Sequence, residues 1–326
     1  MSTFAKNLAA GPLAVLLLSL VLLGLPGVAR AGGVEAVYDP GVGSRWSIVS
    51  DSRDEKAEDG KTTKATSFTR NEELTFVEKT DAGYRISTVL RSYETRGRTI
   101  ESTTVEALLS ALRDVVIRAV VDSGGKPVQV ENLEEVVAAQ KQGMERVVAA
   151  LTDKPADAAK IRELLDTLTA NAARDPDNAA RWYLETLALL SIGQNTGLDV
   201  GEERRTAKSS PNPFGGDPIK TNEVLRLVEA DAATKKLKLV RIVSYDPAAM
   251  KEVGLALAKK LLSGGTADAL EKIMSQISLS MEDRAEFVVE NGMTRSVTET
   301  TIETVNALGH SIGKQARNQV TVTPLR

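Results

Sequence analysis

The sequence contains no cysteine, a single histidine and few aromatic residues, which make up 4% of the chain. The absence of cysteine excludes disulfide bonds, thiol catalysis, lipid attachment at an N-terminal cysteine and cysteine-ligated zinc or iron–sulfur centres. The only imidazole is His310, so histidine-rich metal sites are excluded too, and we interpret His310 as a turn residue rather than a catalytic base. We therefore expect no catalytic residue set, no metal and no cofactor.

Positive charge is too scarce for a typical nucleic-acid-binding protein. The chain has 41 lysine and arginine residues against 44 acidic residues, which gives a formal net charge of −3. A protein that binds phosphate backbones usually presents a dense basic face. We expect no nucleic-acid partner.

The only long apolar run lies at the N-terminus, from Leu13 to Leu25. Lys6 precedes it, and Ala29-Arg30-Ala31 follows it, in the pattern of an export signal with a small-residue cleavage site. The run is shorter than the roughly 20 residues of a membrane-spanning helix. We predict that residues 1–31 are a cleaved signal peptide, that no membrane span remains after cleavage, and that the protein is periplasmic or, alternatively, extracellular.

Strand-like segments occupy both ends of the remaining chain. Alternating residues and turn signals predict three strands between Ser44 and Gly97, a hairpin over 115–130, strands over 222–229 and 236–245, and three strands after residue 284. Asn291-Gly292, between two of the last strands, is the strongest hairpin signal in the sequence. These strands should form an antiparallel sheet.

Helical patterns separate the two strand-rich parts. Apolar residues at spacings of three and four predict helices over 133–150, 156–172 and 178–192, and further helices over 247–262 and 266–277. We therefore predict a single α+β domain over 32–326, with a helical segment near 131–194 and a large curved antiparallel sheet covered by amphipathic helices.

A sheet covered by helices can enclose an apolar cleft, and clefts of this kind bind apolar ligands. Six large side chains on inward-looking faces are the candidates for lining it: Trp46, Tyr84, Leu90, Trp182, Leu239 and Met250. The alternative is that these side chains meet in a dry core.

Two hairpins carry a resemblance to a known family. The segment Val120-Val121-Asp122-Ser123-Gly124-Gly125-Lys126-Pro127-Val128 and the segment Glu290-Asn291-Gly292-Met293 resemble hairpins of bacterial periplasmic proteins related to LolA- and LppX-type lipid or lipoprotein carriers. The resemblance implies a curved antiparallel sheet closed by helices around a hydrophobic ligand. It implies no particular site residue.

Three functions are consistent with these patterns. The first is a non-enzymatic periplasmic protein that binds a lipid, another hydrophobic ligand or a lipidated partner in the cell envelope. The second is an envelope interaction or scaffold protein with a dry core, which contacts an envelope protein through its strand edges or the loop over 209–218. The third is a carboxylate-based hydrolase, although no acid pair stands out. The acidic run from Asp51 to Asp59 is expected to be a solvated hairpin loop.

Overall fold

The computed structural model describes most of the chain after residue 36. The described residues are 37–58, 61–97, 109, 112–151, 158–159, 162–163, 166, 170, 176–194, 196–210, 219–252, 277–307 and 310–326. The predicted signal peptide, most of the predicted helices over 156–172 and 266–277, and the part of the predicted 247–262 helix after residue 252 lie outside these residues.

Eleven β-strands make up most of the described structure. Their bounds are β1 Arg45–Glu58, β2 Lys61–Thr80, β3 Gly83–Arg96, β4 Val116–Asp122, β5 Pro127–Val130, β6 Glu203–Ser210, β7 Ile219–Asp231, β8 Lys236–Tyr245, β9 Ile277–Glu290, β10 Met293–Ala307 and β11 His310–Leu325. The predicted hairpins are present, and Asn291 and Gly292 adopt the positive φ angles of 50° and 78° that a tight two-residue turn requires.

All eleven strands belong to one antiparallel sheet, in the order β5-β4-β3-β2-β1-β11-β10-β9-β8-β7-β6. The sheet therefore consists of two meanders, one from β1 to β5 and one from β6 to β11. The pairing of β1 with β11 joins them along fourteen residue pairs, from Arg45 opposite Leu325 to Glu58 opposite Ile312.

One face of the sheet, which we call the buried face, carries the main hydrophobic core. Phe287, Leu239 and Val297 lie on this face and are completely excluded from solvent. Alternation along each strand places charged residues on the opposite face, where Arg45 and Arg91 both pair with Glu73. The core thus depends on the two-residue period of the strands.

The main described helices are α1 Leu133–Leu151, α2 Pro176–Tyr183 and α3 Glu185–Ser191, and residues 247–252 are helical as well. Side chains of α2 and α3, including Tyr183 and Leu187, join the core cluster. Thr294 Oγ1 on β10 donates a hydrogen bond to the carbonyl oxygen of Leu190 at 2.6 Å, which fixes α3 against the sheet. Among the described residues, no helix has the length and apolar character needed to cross a membrane.

The predicted fold class, α+β with amphipathic helices covering the sheet, is wrong. The protein is mainly β, because long antiparallel strands contain most of its described residues and the described helices are few. The single helix expected over 178–192 is divided at Leu184, between α2 and α3. The two short helices contribute a few core side chains and do not form a layer over the whole sheet.

The resemblance to LolA- and LppX-type carriers is also wrong. Two meanders joined in one eleven-stranded sheet do not form the helix-closed sheet that the resemblance implied. The hairpins that suggested it are present, but hairpins of these types occur in many antiparallel sheets. They therefore identify a local turn and not a family.

Candidate functional site

The six residues predicted to line a cleft are buried or half-buried in the structure. Trp46, Tyr84 and Leu239 belong to the main core cluster, and half-buried Trp182 packs against it. Leu90 and Met250 are also buried, with 6% and 4% of their surface exposed. The structure thus brings three of the six into one core, and their contact with a ligand stays a prediction.

Polar and charged side chains occupy the other end of the buried face. Cross-strand register places them in adjacent rows: Glu299 is opposite Asn318, Thr301 is opposite Asp283, and Glu303 is opposite Lys314. We call this group the polar band. Its members are Ser52, Asp54, Lys208, Glu223, Arg241, Asp283, Glu299, Thr301, Glu303, Lys314 and Asn318.

A buried ion-pair network lies in the β6–β8 part of the polar band. Arg241, with a side chain 2% exposed, donates from Nε to Glu223 Oε2 at 2.7 Å, and Lys208 Nζ lies 2.8 Å from Glu223 Oε1. Burial opposes ionisation of Glu223, but the two cations outweigh it and hold the pKa of this carboxyl below its ordinary value. Glu223 is therefore an anion shared by two cations.

Asp283 accepts two hydroxyl hydrogen bonds in the middle of the polar band. Tyr245 Oη donates to Asp283 Oδ2 at 2.5 Å, and Thr301 Oγ1 donates to Asp283 Oδ1 at 2.6 Å. Burial nevertheless raises the pKa of Asp283, because the hydrogen bonds only partly offset the lost hydration. The two hydroxyl groups fix this carboxyl within the sheet.

The carboxyl group of Glu299 lies between Asp283 and Asn318 in the polar band and has a strongly raised pKa. Burial, reinforced by the nearby charges of Asp283 and Glu185, raises the pKa of Glu299 to about 7, although Arg241 and a hydrogen bond from Asn318 act in the opposite direction. Asn318 in turn accepts a hydrogen bond from Ser52 Oγ at 2.9 Å. Glu299 therefore exchanges its proton near neutral pH.

The β1–β10–β11 part of the polar band is less tightly paired. Lys314 Nζ lies 3.9 Å from Asp54 Oδ2, which is an ion pair without a hydrogen bond. Burial raises the pKa values of Asp54 and Glu303, and the positive charge of Lys314 only partly opposes this. Two aromatic rings on the same face, those of Phe68 and Tyr93, are half-buried next to this part with centroids 5.7 Å apart.

Sequence reasoning missed the polar band because its members come from strands that are far apart in the chain. Ser52 and Asn318 are separated by 266 positions. The acidic run expected to be a hairpin loop is part of β1 as far as Glu58, and alternation turns Asp54 toward the buried face. The alternation of residues around Asp54 was the local signal for a strand. The negative charge of the segment indicated a solvated loop instead.

A second motif also escaped sequence reasoning. Gly309-His310-Ser311-Ile312-Gly313 has the Gly-x-Ser-x-Gly spacing of a serine hydrolase nucleophile turn. That motif requires a strand, a sharp turn and a helix, whereas His310 begins β11 and Ser311 pairs with Asn306 in the sheet. The interpretation of His310 as a turn residue is therefore wrong, and the surrounding structure does not support a nucleophile turn.

The carboxylates do not form a metal centre. Within the part of the chain that the structure describes, no three histidine or acidic side chains converge on one point. The acidic groups of the polar band are instead distributed along rows and interleaved with Arg241, Lys208 and Lys314.

Comparisons with known proteins identify no family. No protein-family model matches the sequence, and no curated protein matches it. One similar structure is the crystal structure of Ail, the attachment invasion locus protein of Yersinia pestis, in complex with the heparin analogue sucrose octasulfate. The two chains share 5% sequence identity and a TM-score of 0.13, and the comparison covers 86% of this chain and 99% of that chain. The chain is also similar to an outer membrane channel from Pseudomonas putida F1, with a TM-score of 0.15, 8% identity, and coverage of 91% and 100%. TM-scores this low establish neither a shared fold nor a shared function.

Proposed function

We propose that the protein is a non-enzymatic binding protein of the cell envelope whose ligand lies on the polar band. The observation that carries this proposal is a set of buried polar atoms without a hydrogen-bond partner among the described residues. In the polar band these atoms are Arg241 Nη2, Glu303 Oε1 and Lys314 Nζ. Native proteins leave few such atoms unpaired, because each one costs the free energy of its lost hydration.

This proposal changes the chemistry of the expected ligand from apolar to polar. Leu239, Phe287 and Val297 have no exposed surface, so the apolar end of the buried face is packed against protein atoms. Glu299, Thr301 and Glu303 are only half-buried. A ligand can reach these side chains with a smaller rearrangement than the apolar end would need.

The envelope location rests on the N-terminal export pattern over 1–31, which lies outside the described residues. The non-enzymatic role is supported by the pairing of two carboxylates of the polar band, Glu223 and Asp283. Glu223 is neutralised by two cations, and Asp283 is held by two hydroxyl groups, so neither is presented as a free acid or base.

Native mass spectrometry of the protein purified from its own cells without detergent tests the proposal. We expect a stoichiometric bound molecule that is lost in Glu303→Gln and retained in Glu282→Gln, because Glu282 is an exposed carboxyl on neighbouring β9. A bare mass for the native protein, or a bound molecule that both variants retain equally, would overturn it.

A second candidate function is an envelope scaffold that acts through its surface. The dry packing of the apolar end favours it, because a scaffold needs no interior ligand. The sheet edges are poor contact sites, since β5 has four residues and begins with Pro127, and β6 carries Arg204, Arg205 and Lys208. The exposed ion pairs around Glu73 are a better surface for this role. Capture of one defined envelope protein that Arg91→Glu abolishes would support it, and retention of that partner by the variant would refute it.

A further inference from the structure

We infer that the ligand of the polar band is a saccharide, an inference that rests on the proposed function above. The argument starts from the groups that the band presents. Acceptors and donors alternate across it: the carboxylates of Asp54 and Glu303 lie near the ammonium group of Lys314, and Asn318 lies beside Glu299. A ligand that fits must offer both donors and acceptors over several ångströms, as a sugar ring with its hydroxyl groups does.

An anionic ligand fits the polar band poorly. Each cation of the band already has a carboxylate partner: Arg241 and Lys208 share Glu223, and Lys314 is paired with Asp54. An added anion would compete with these carboxylates in a region where burial amplifies charge repulsion. Phosphate or sulfate groups are therefore unsuitable as the main recognition element.

A metal cation and an apolar chain also fit poorly. The described carboxylates do not converge as a metal site requires. An acyl chain would have to lie against Glu299, Thr301 and Glu303, which would bury these polar groups without replacing their hydrogen bonds. A neutral polyhydroxylated molecule avoids both costs, because its hydroxyl groups can pair with the unpaired donors and acceptors of the polar band.

Two aromatic rings complete the site. Phe68 is in the same cross-strand row as Ser52, Asn318 and Glu299, and the tilted ring of Tyr93 packs against it. Aromatic rings beside planar polar side chains can hold the C–H face of a pyranose while its rim of hydroxyl groups forms hydrogen bonds. The sequence does not indicate this pair, because the chain has few aromatic residues and only the pairing of the strands places the two rings next to the polar rows.

The partly protonated state of Glu299 suits the same ligand. Because the pKa of Glu299 lies near 7, this side chain donates a hydrogen bond when protonated and accepts one when ionised. A sugar hydroxyl group can pair with either form. Saccharide binding should therefore persist across neutral pH.

Isothermal titration calorimetry of the full-length mature protein with defined probes tests the inference. The probes are an N-acetylglucosamine tetramer, maltotetraose, sodium palmitate and a trialanine peptide. We expect one of the two saccharides to bind, with an affinity that falls by at least about tenfold in Phe68→Leu and in Glu303→Gln, as loss of one strong contact predicts. Phe68→Tyr, which keeps the ring, and the exposed-face variant Glu282→Gln should bind like the natural protein. Thermal unfolding of each variant shows which ones are folded.

The other outcomes separate this inference from the proposed function. If the peptide binds in a way that Glu303→Gln weakens and neither saccharide binds, the saccharide inference fails and the proposed function stands. If palmitate alone binds in this way, the saccharide inference and the polar ligand of the proposed function both fail. If no probe binds and the native mass is bare, both fail. If a saccharide binds and is cleaved, the ligand class is correct and the non-enzymatic part of the proposed function is wrong.

Discussion

Replacement of Glu299 by glutamine should change how the stability of the protein depends on pH. In the folded protein the pKa of Glu299 is about 7, whereas an ordinary glutamate ionises near 4.5. Between these two values the folded state holds a proton that the unfolded state has released. The free energy of unfolding should therefore fall as the pH rises from about 4.5 to about 7, and then level off.

The size of this effect follows from the difference between the two pKa values. It corresponds to an upper limit of about 3 kcal/mol at full ionisation. Because Glu299 is half-buried and water screens part of its charge, we expect about 1–3 kcal/mol. Burial also raises the pKa values of Asp54, Asp283 and Glu303, so each of them should likewise destabilise the natural protein as the pH rises above the ordinary pKa of its carboxyl group.

Urea unfolding at pH 5, 6, 7 and 8 measures the effect. Glu299→Gln stays neutral throughout, so its stability relative to the natural protein should rise by about 1–3 kcal/mol between pH 5 and pH 8. The control Glu282→Gln removes an exposed carboxyl from the opposite face and should keep the loss of stability between pH 5 and pH 8 that Glu299 causes. Parallel pH profiles for Glu299→Gln and the natural protein would refute the reasoning.

Three further substitutions test the packing and the turns, each by its urea-unfolding free energy at neutral pH. Phe287→Ala should destabilise the protein by about 3–5 kcal/mol, since the ring is completely buried, and a loss below 1 kcal/mol would contradict the dry core. Gly292→Ala places a Cβ atom at 1.8 Å from the Val37 carbonyl oxygen at a φ of 78°, so we expect a loss of at least about 1 kcal/mol, against almost none for Gly313→Ala, where the Cβ meets open space. Asp283→Ala leaves two hydroxyl groups without their acceptor and should cost about 2–4 kcal/mol; an unchanged free energy would show that these bonds contribute nothing.

Local signals in the sequence predict the turns and most of the strands. The Asn291-Gly292 turn forms because both residues tolerate positive φ, and β3 follows the alternation that places Tyr84 and Ile86 on one face. Strand β6 was missed because its sequence, Glu203–Ser210, has no apolar alternation. It lies at an edge of the sheet, where pairing with β7 alone maintains it.

The polar band and the balance of helix and strand were not predictable in the same way. Partners such as Ser52 and Asn318 meet only because β1 pairs with β11, and nothing local in either segment specifies that pairing. The helical patterns predict α1, α2 and α3 locally, but nothing in these patterns shows how much of the sheet the helices cover. Strand β10 was predicted because the Asn291-Gly292 turn marks its start, although Thr298, Thr300 and Glu303 interrupt its apolar pattern.

The pairing of β1 with β11 also determines which part of the sheet can form last as the protein folds. Each meander is built from neighbouring strands, so each can begin to pair while the rest of the chain is still being synthesised. The contact between the meanders must wait for the last strand, which is also the strand that supplies Lys314 and Asn318 to the polar band. A chain interrupted before β11 would hold two separate sheets and only part of the polar band, so the ligand binding proposed above would report that both meanders have joined.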